Sequence, residues 1–200
     1  MRLMIRLLDI LFSFLGIVLL LPVFVGISLS VMLTDGLPVF YVQSRVGKAG
    51  KDFRLFKFRT MRTGSDRSGQ LTVGGRDPRL TRLGFVLRRY KLDELPQLVN
   101  VLAGSMSLVG PRPEVRRYVE LYTEDQRRIL SVRPGITDEA SIVFANENEL
   151  LGDQADPEKF YRETVLPEKI RLNLRYIENR GIGSYFSIIW RTIVRVVRGR

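Results

Sequence analysis

The sequence contains no cysteine and no histidine. The first absence excludes disulfides, thiol nucleophiles and cysteine-bound zinc. The second excludes a Ser-His-Asp triad and any histidine base. Catalysis by this chain would rest on carboxylates, Lys, Arg, Tyr, hydroxyls or a metal held by oxygen. Acidic residues are scarce as well: 21 Asp and Glu stand against 32 Lys and Arg, for a net charge of +11 and a pI near 10.4. That imbalance points to an anionic partner, and nucleic acid, anionic lipid and phosphorylated substrates all qualify. The 200 residues suffice for one domain of ordinary size.

A third absence is local. Residues 10–34 carry no charge and consist mostly of Leu, Ile, Val and Phe, a run long enough to cross a bilayer as a helix. A secretory signal is the weaker reading, because no small-x-small cleavage site follows. A buried helix of a soluble core is rarely apolar for so long, so membrane insertion is preferred. Pro22 falls near the middle of the run, where it removes a helical hydrogen bond and crowds the preceding turn. Arg2 and Arg6, with Asp9, precede the run, and Arg45, Lys48, Lys51, Arg54, Lys57 and Arg59 follow it. A single span would send one basic flank across the membrane, against the positive-inside bias. A helix that breaks at Pro22 and returns keeps both flanks on one side. The carbonyls freed near Leu19 would then need donors, for which Ser13, Ser28 and Ser30 are candidates.

Downstream, residues 37–43 and 53–60 read as strands, with Gly47 and Gly50 marking a Lys-rich turn between them. Period two along the second strand puts Lys57 and Arg59 on one face, opposite Phe56 and Phe58. Two adjacent cations suit a phosphate; the alternative is a solvated strand face. Residues 62–77, rich in Gly, Ser and Thr, read as a flexible loop. Thr81 can cap a short helix whose apolar side is Leu83, Val86, Leu87 and Tyr90.

That helix leads into two adjacent carboxylates, Asp93 and Glu94, set behind the basic cluster Arg88, Arg89 and Lys91. Asp93 is a candidate N-cap, and Pro96 is tolerated in a first turn. A helix over 94–102 would bury Leu95, Leu98, Val99 and Leu102 and leave both acids at its positive end. There they could hold a metal or attack phosphorus; the plain alternative is a charged cap on a surface helix. Further on, Pro111 and Pro113 bracket Arg112 and fix its backbone, which suits bidentate contact with phosphate. Pro113 would start a helix to about Tyr122, and Thr123 with Gln126 has the form of a capping box. Asp156-Pro157 opens another helix, and a further one over 167–179 stops at Gly181. In the last segment Arg191, Arg195 and Arg198 share one helical face, with Trp190 at its edge and apolar residues around the remainder. This is the composition of a helix lying in a bilayer interface; a core helix is the alternative.

Several of these stretches together resemble the small monotopic phosphoglycosyl transferases, the bacterial sugar transferases that start glycoconjugate assembly. The matching pieces are the apolar N-terminal segment, Phe40-Tyr41-Val42-Gln43 with Arg45-Val46-Gly47, and Lys57-Phe58-Arg59-Thr60-Met61. They continue through Asp77-Pro78-Arg79-Leu80-Thr81-Arg82-Leu83-Gly84, Asp93-Glu94-Leu95-Pro96-Gln97-Leu98 and Met106-Ser107-Leu108-Val109-Gly110-Pro111-Arg112-Pro113-Glu114. The resemblance runs from residue 1 to about residue 137. It implies transfer of a sugar 1-phosphate from a UDP-sugar to polyprenyl (undecaprenyl) phosphate, with release of UMP. In that family pattern Asp93 is the nucleophile that carries a phosphosugar, and Glu94 helps to hold Mg²⁺. Lys57, Arg59, Arg88 and Arg112 become the candidates for stabilising phosphate charge.

The resemblance also implies an architecture: an α+β fold, mainly helical, with a re-entrant membrane helix hairpin over 1–36 and a small β-hairpin. A compact cytoplasmic helical domain over 37–200 would pack on the bacterial inner (plasma) membrane, with 184–198 an interfacial amphipathic helix. The chain departs from the family pattern over residues 138–149, where many members have a small-residue and Arg-containing stretch, and at Arg171-Leu172-Asn173, where many carry an Asp in a Lys-Leu-Asp segment. Both regions would shape the nucleotide-sugar pocket, so the identity of the sugar does not carry over. A membrane-tethered nucleic-acid binder would explain the pI but neither the apolar segment nor the acidic pair, and no nucleic-acid motif is present. A non-catalytic scaffold would reduce Asp93 and Glu94 to caps.

Overall fold

The structure, a computed structural model, describes residues 1–65, 71–74 and 77–198. Part of the loop expected over 62–77 therefore lies outside the described residues. Two helices open the chain, α1 over Arg2–Leu19 and α2 over Leu21–Asp35, bent by 61° at Leu20. The break comes two residues before Pro22, which occupies the first turn of α2, where a missing N–H loses no helical partner. Among the described residues no single helix is long and apolar enough to cross a membrane; this bent pair passes such a test together. The expected serine donors do not reach the break. Ser13, Ser28 and Ser30 donate to the carbonyls of Ile10, Phe24 and Gly26, each on its own helix. Hydroxyls this short find a carbonyl three or four residues back before any more distant acceptor.

Both ends of the helix pair are tied to the remainder of the chain. Near its start, Ile5, Asp9 and Ser13 are buried. Arg6 donates to the carbonyls of Val101 and Leu102, and Asp9 Oδ1 accepts from Ser107 Oγ, Leu108 N and Tyr185 OH. Near its end, Ile27 and Val31 pack with Phe58 and Leu87. The middle of the pair exposes Phe14, Val18, Leu19, Leu21 and Val25.

The expected hairpin forms, displaced along the chain: β1 over Phe40–Val46 pairs antiparallel with β2 over Asp52–Phe58. Ala49 and Gly50, at φ 58° and 73°, turn the chain between them. Helix α3, over Arg82–Arg89, is capped by Thr81 as expected. Its apolar side differs from expectation in part, since Leu87 is buried but Val86 and Tyr90 are exposed. Gly84 is needed for close approach, because a Cβ there would stand 2.0 Å from the Thr60 carbonyl oxygen.

Helix α4 begins at Gln97 and runs to Ala103, later than the expected 94–102. Leu92–Glu94 form a 3-10 turn instead, so Asp93 is no N-cap. The face α4 buries is also different: Gln97, Asn100 and Val101 turn inward while Val99 is exposed. The reason is polar docking. Asn100 donates to the Arg54 carbonyl and accepts from Phe56 N, which clips α4 to β2.

Strand β3 (Ser107–Val109) then runs parallel to β4 (Gly135–Thr137). Between them the helix expected over 113–122 shortens to α5, Arg116–Val119, because Val115 is extended. The Thr123–Gln126 capping box opens α6, Glu124–Arg127. Helices α7 (Glu139–Val143), α8 (Glu147–Gly152) and α9 (Pro157–Phe160, capped by Asp156) lead through a π-turn into α10, Leu166–Glu178. Helix α11, Ile182–Val197, closes the described chain. It buries Tyr185 and Ile188 and exposes Phe186, Trp190, Ile193 and Val197.

Candidate active site

The acidic pair lines a cleft of about 1140 Å³, together with residues of β1, β2, α3, α7 and α11. The backbone is bent sharply just before it. Lys91 adopts the left-handed region at φ 56°, which costs a non-glycine residue about 1–2 kcal/mol. The 3-10 turn that follows buries both carboxyls, Asp93 at 4% exposure and Glu94 at 8%.

Their electrostatic states are opposed. Glu94 Oε1 accepts from Lys57 Nζ at 3.0 Å and from Arg112 Nη2, while Oε2 accepts from Arg112 Nη1 at 3.1 Å. Burial alone would raise its pKa, but the Arg112 guanidinium and the Lys57 ammonium outweigh it and hold the carboxyl well below its ordinary range. Arg112 is raised in turn by Glu94. Asp93 has no such clamp: its Oδ1 is enclosed and unpartnered among the described residues. Burial pushes its carboxyl above the ordinary range and Glu94 adds to that, against the pull of Lys57 and Arg88. One acid is a fixed anion and its neighbour an under-solvated, uncommitted one. That separation of roles is what a reactive carboxylate beside a structural one requires.

The structure brings Lys57, Arg88 and Arg112 to the cleft with the two acids. Lys57 arrives because it pairs with Tyr41 across the hairpin. Arg88 donates to Thr60 Oγ1 and Thr72 Oγ1 and is depressed by burial, with Asp93 opposing. Arg59 also borders the cleft, but its guanidinium is spent elsewhere. It lies past the end of β2 and donates to the carbonyls of Asp35, Gly36 and Leu37 at 2.6, 2.6 and 3.0 Å. It closes the C-terminal end of α2, a role the period-two pattern did not reveal.

The rigidity of Arg112 has a second source besides its prolines. Its backbone N–H donates to Asp138 Oδ2, and Asp138, fully buried, also accepts from Ser141 N and Asn173 Nδ2. Asp138 and Asn173, one residue from each stretch where the chain leaves the resembled pattern, thus meet and hold the arginine loop. Sequence reasoning also missed Arg45 with Glu114 and Tyr161, and Lys169 with Glu147, which line the same cleft. Lys169 was legible as a cation inside the periodic segment of α10. The others were hidden by separations of 47 or more residues.

Among the described residues no group of three or more acidic side chains stands ready for a metal ion. A carboxylate offers about four acceptor positions, and Glu94 has given three of its own to Lys57 and Arg112. One remains at Oε2. Magnesium is often bound by one or two carboxylates together with substrate phosphates, so the oxygen donors present fit that mode and no larger cage.

A family model described as bacterial sugar transferase matches residues 1–199. The chain is 36% identical over 196 residues to the UDP-N-acetylgalactosamine-undecaprenyl-phosphate N-acetylgalactosaminephosphotransferase of Aeromonas hydrophila, covering 96% of this chain and 43% of that protein. It is 34% identical over 197 residues to the UDP-glucose:undecaprenyl-phosphate glucose-1-phosphate transferase of Escherichia coli (strain K12), covering 97% and 40%. To the exopolysaccharide production protein PSS of Rhizobium leguminosarum bv. phaseoli it is 36% identical over 204 residues, covering 98% and 96%. The chain thus spans less than half of the first two relatives and nearly all of the third.

Proposed function

Because the chain belongs to the bacterial sugar transferase family, we propose that it transfers a sugar 1-phosphate from a UDP-sugar to polyprenyl (undecaprenyl) phosphate. UMP is released, and the product opens the membrane assembly of a polysaccharide or other glycoconjugate. The observation that carries the mechanism is the contrast between the clamped Glu94 and the unpartnered Asp93. An ionised Asp93 attacks the phosphorus bonded to the sugar; the new O–P bond forms as the bond to the UMP oxygen breaks. The acceptor's phosphate oxygen then attacks the same phosphorus and frees the carboxylate. Lys57 and Arg112 stabilise the charge that develops on the phosphoryl oxygens, and Arg88 stands at the same cleft. Glu94 would hold Mg²⁺, which when bound supplies neutralisation of the diphosphate charge. The cleft volume exceeds the ~300–1,000 Å³ of a pocket for one small ligand, which suits a site that handles a nucleotide sugar and a lipid phosphate.

The bent helix pair enters the membrane without crossing it, with residues 37–200 as the catalytic domain on the cytoplasmic face of the bacterial inner membrane. Support comes from the anchors. Arg6 and Asp9 at one end and Val31 and the Arg59-bound carbonyls at the other pack on the same body, so both ends lie on one side. Helix α11 lies at the interface, with Trp190 and Ile193 toward lipid.

Purified enzyme given UDP-sugar and Mg²⁺ alone should release UMP and retain a sugar phosphate detectable by mass spectrometry; Asp93→Asn should lose both. An adduct on Glu94 would reverse the two roles. Turnover with no adduct and an obligatory ternary complex would replace the two-step route by direct transfer.

A further inference from the structure

Most buried or half-buried cations of the cleft already have an anion or a set of acceptors. Lys57 and Arg112 hold Glu94, Arg45 faces Glu114, and Lys169 faces Glu147. Arg195, on α11, differs. It is half-buried, its Nε is enclosed without a partner, and its side chain meets no hydrogen-bonding or ion-pairing group among the described residues. A guanidinium in that condition is costly unless an anion completes it.

Three further observations say what kind of anion. Arg195 lines the cleft that holds Asp93 and also an outer hollow of about 410 Å³ shared with Trp190 and Ile142. Ser141, beside Ile142, borders the same cleft with its Oγ enclosed and unpartnered among the described residues. On the outer side Trp190 and Ile193 are 67% and 50% exposed, an apolar track leading away from the guanidinium. Anion chemistry at one end and apolar surface at the other fit an amphiphile.

We propose that Arg195, assisted by the Ser141 hydroxyl, receives a monophosphate carried at the end of an apolar chain, with that chain laid along the exposed face of α11. The planar guanidinium fork takes two phosphate oxygens, and the hydroxyl donates to a third. The assignment rests on the transferase reading in one respect: the monophosphate is then the acceptor substrate, presented toward Asp93 from the membrane side.

Farnesyl phosphate serves as a soluble probe, titrated calorimetrically into the full-length protein in micelles without any sugar donor. The native protein should bind it, farnesol should not compete, and Arg195→Gln should weaken binding roughly tenfold or more, as for loss of a charge-assisted hydrogen bond. Arg127→Gln, which removes the same charge from exposed α6, should change nothing. In turnover assays Arg195→Gln should raise the KM for polyprenyl phosphate by a similar factor while the KM for the UDP-sugar stays within about twofold. Equal farnesyl phosphate affinity in native protein and a folded Arg195→Gln overturns the proposal, as does a native protein that does not bind the probe. A variant whose only defect is weaker sedimentation with phosphatidylglycerol vesicles, relative to phosphatidylcholine, also overturns it, since bulk anionic lipid is then the ligand. If Arg195→Gln loses its fold, Arg195→Lys and Ser141→Ala carry the test: each should weaken probe binding about threefold, and unchanged binding in both overturns the assignment. Probe binding that depends on Arg195 in a protein with no transferase activity would sink the transferase reading and leave this site standing.

Discussion

Exchanging each acid of the cleft for its amide should move stability in opposite directions. Glu94→Gln removes the charge that pairs Lys57 and Arg112 and leaves both cations facing an amide. Breaking a buried pair from one side costs about 3–5 kcal/mol. The lower end applies here, because the Arg112 side chain is 31% exposed. About 3 kcal/mol corresponds to a Tm lower by roughly 6–12 °C in a chain of this length. Asp93→Asn removes a charge that burial disfavours, so the variant should be as stable as the parent or up to about 2 kcal/mol more so.

The pH dependence separates the two effects. Glu94 is depressed below its ordinary value of 4.5, so its contribution is complete above that pH and lost as pH falls through the lower folded value. The Glu94→Gln deficit should therefore be full at neutral pH and shrink in acid. Asp93 is raised above 3.8, so its ionisation destabilises the parent as pH climbs from that value through the folded one. The Asp93→Asn advantage should be absent in acid and open as pH rises. Circular dichroism melts at 222 nm in one detergent, across pH 3.5 to 8 (roughly the span these shifts require), would measure both. A Glu94→Gln variant as stable as the parent, or an Asp93→Asn variant more than about 1 kcal/mol less stable, would refute the opposed-state reading.

Lys57→Ala and Arg112→Ala should each retain turnover reduced by about 10²–10³, the loss expected for one charge-stabilising donor; a background equal to that of Asp93→Asn would argue against so modest a role. Arg59→Gln should leave UMP release within a few-fold of the parent once folded yet lower stability by about 2 kcal/mol or more, since charge-assisted bonds to three carbonyls are lost; calorimetric melts paired with steady-state rates distinguish this from a direct phosphate contact. Cysteines placed singly near residue 3 and residue 50 should both resist impermeant reagents applied to intact cells, and Pro22→Leu should favour a straighter helix in which the first site becomes labelled.

Features that depend on neighbours in the chain were readable from sequence. The Thr81 cap, the Thr123–Gln126 box, the Asp156-Pro157 start and the β-hairpin are set by contacts within a few residues. The long uncharged run with Pro22 inside it gave a broken apolar helix, and the missing histidine and cysteine directed attention to Asp93 and Glu94. Local rules failed where a partner comes from far away. Period two joined Arg59 to Lys57, but the carbonyls at the end of α2 took its guanidinium. Helical periodicity turned Val99 inward, but Asn100 docks to β2 and turns it outward.

By itself, the sequence determined the chemistry available: two adjacent carboxylates, a surplus of cations and an apolar segment, with no thiol or imidazole. Only the tertiary structure decided how that chemistry is divided. Lys57 reaches Glu94 from 37 residues away and Arg112 from 18, and their arrival makes one acid a fixed anion while the Oδ1 of its neighbour stays unpartnered among the described residues. The same holds for the helix pair. Arg6 and Asp9 read as flanking charges, yet folding carries them onto segments more than 90 residues distant, and with the packing of Val31 at the other end both ends of the bent helix pair meet one body. Charge and polarity are properties of residues, whereas ionisation state and direction of approach belong to pairs, and distant pairs exist only once the chain has closed on itself.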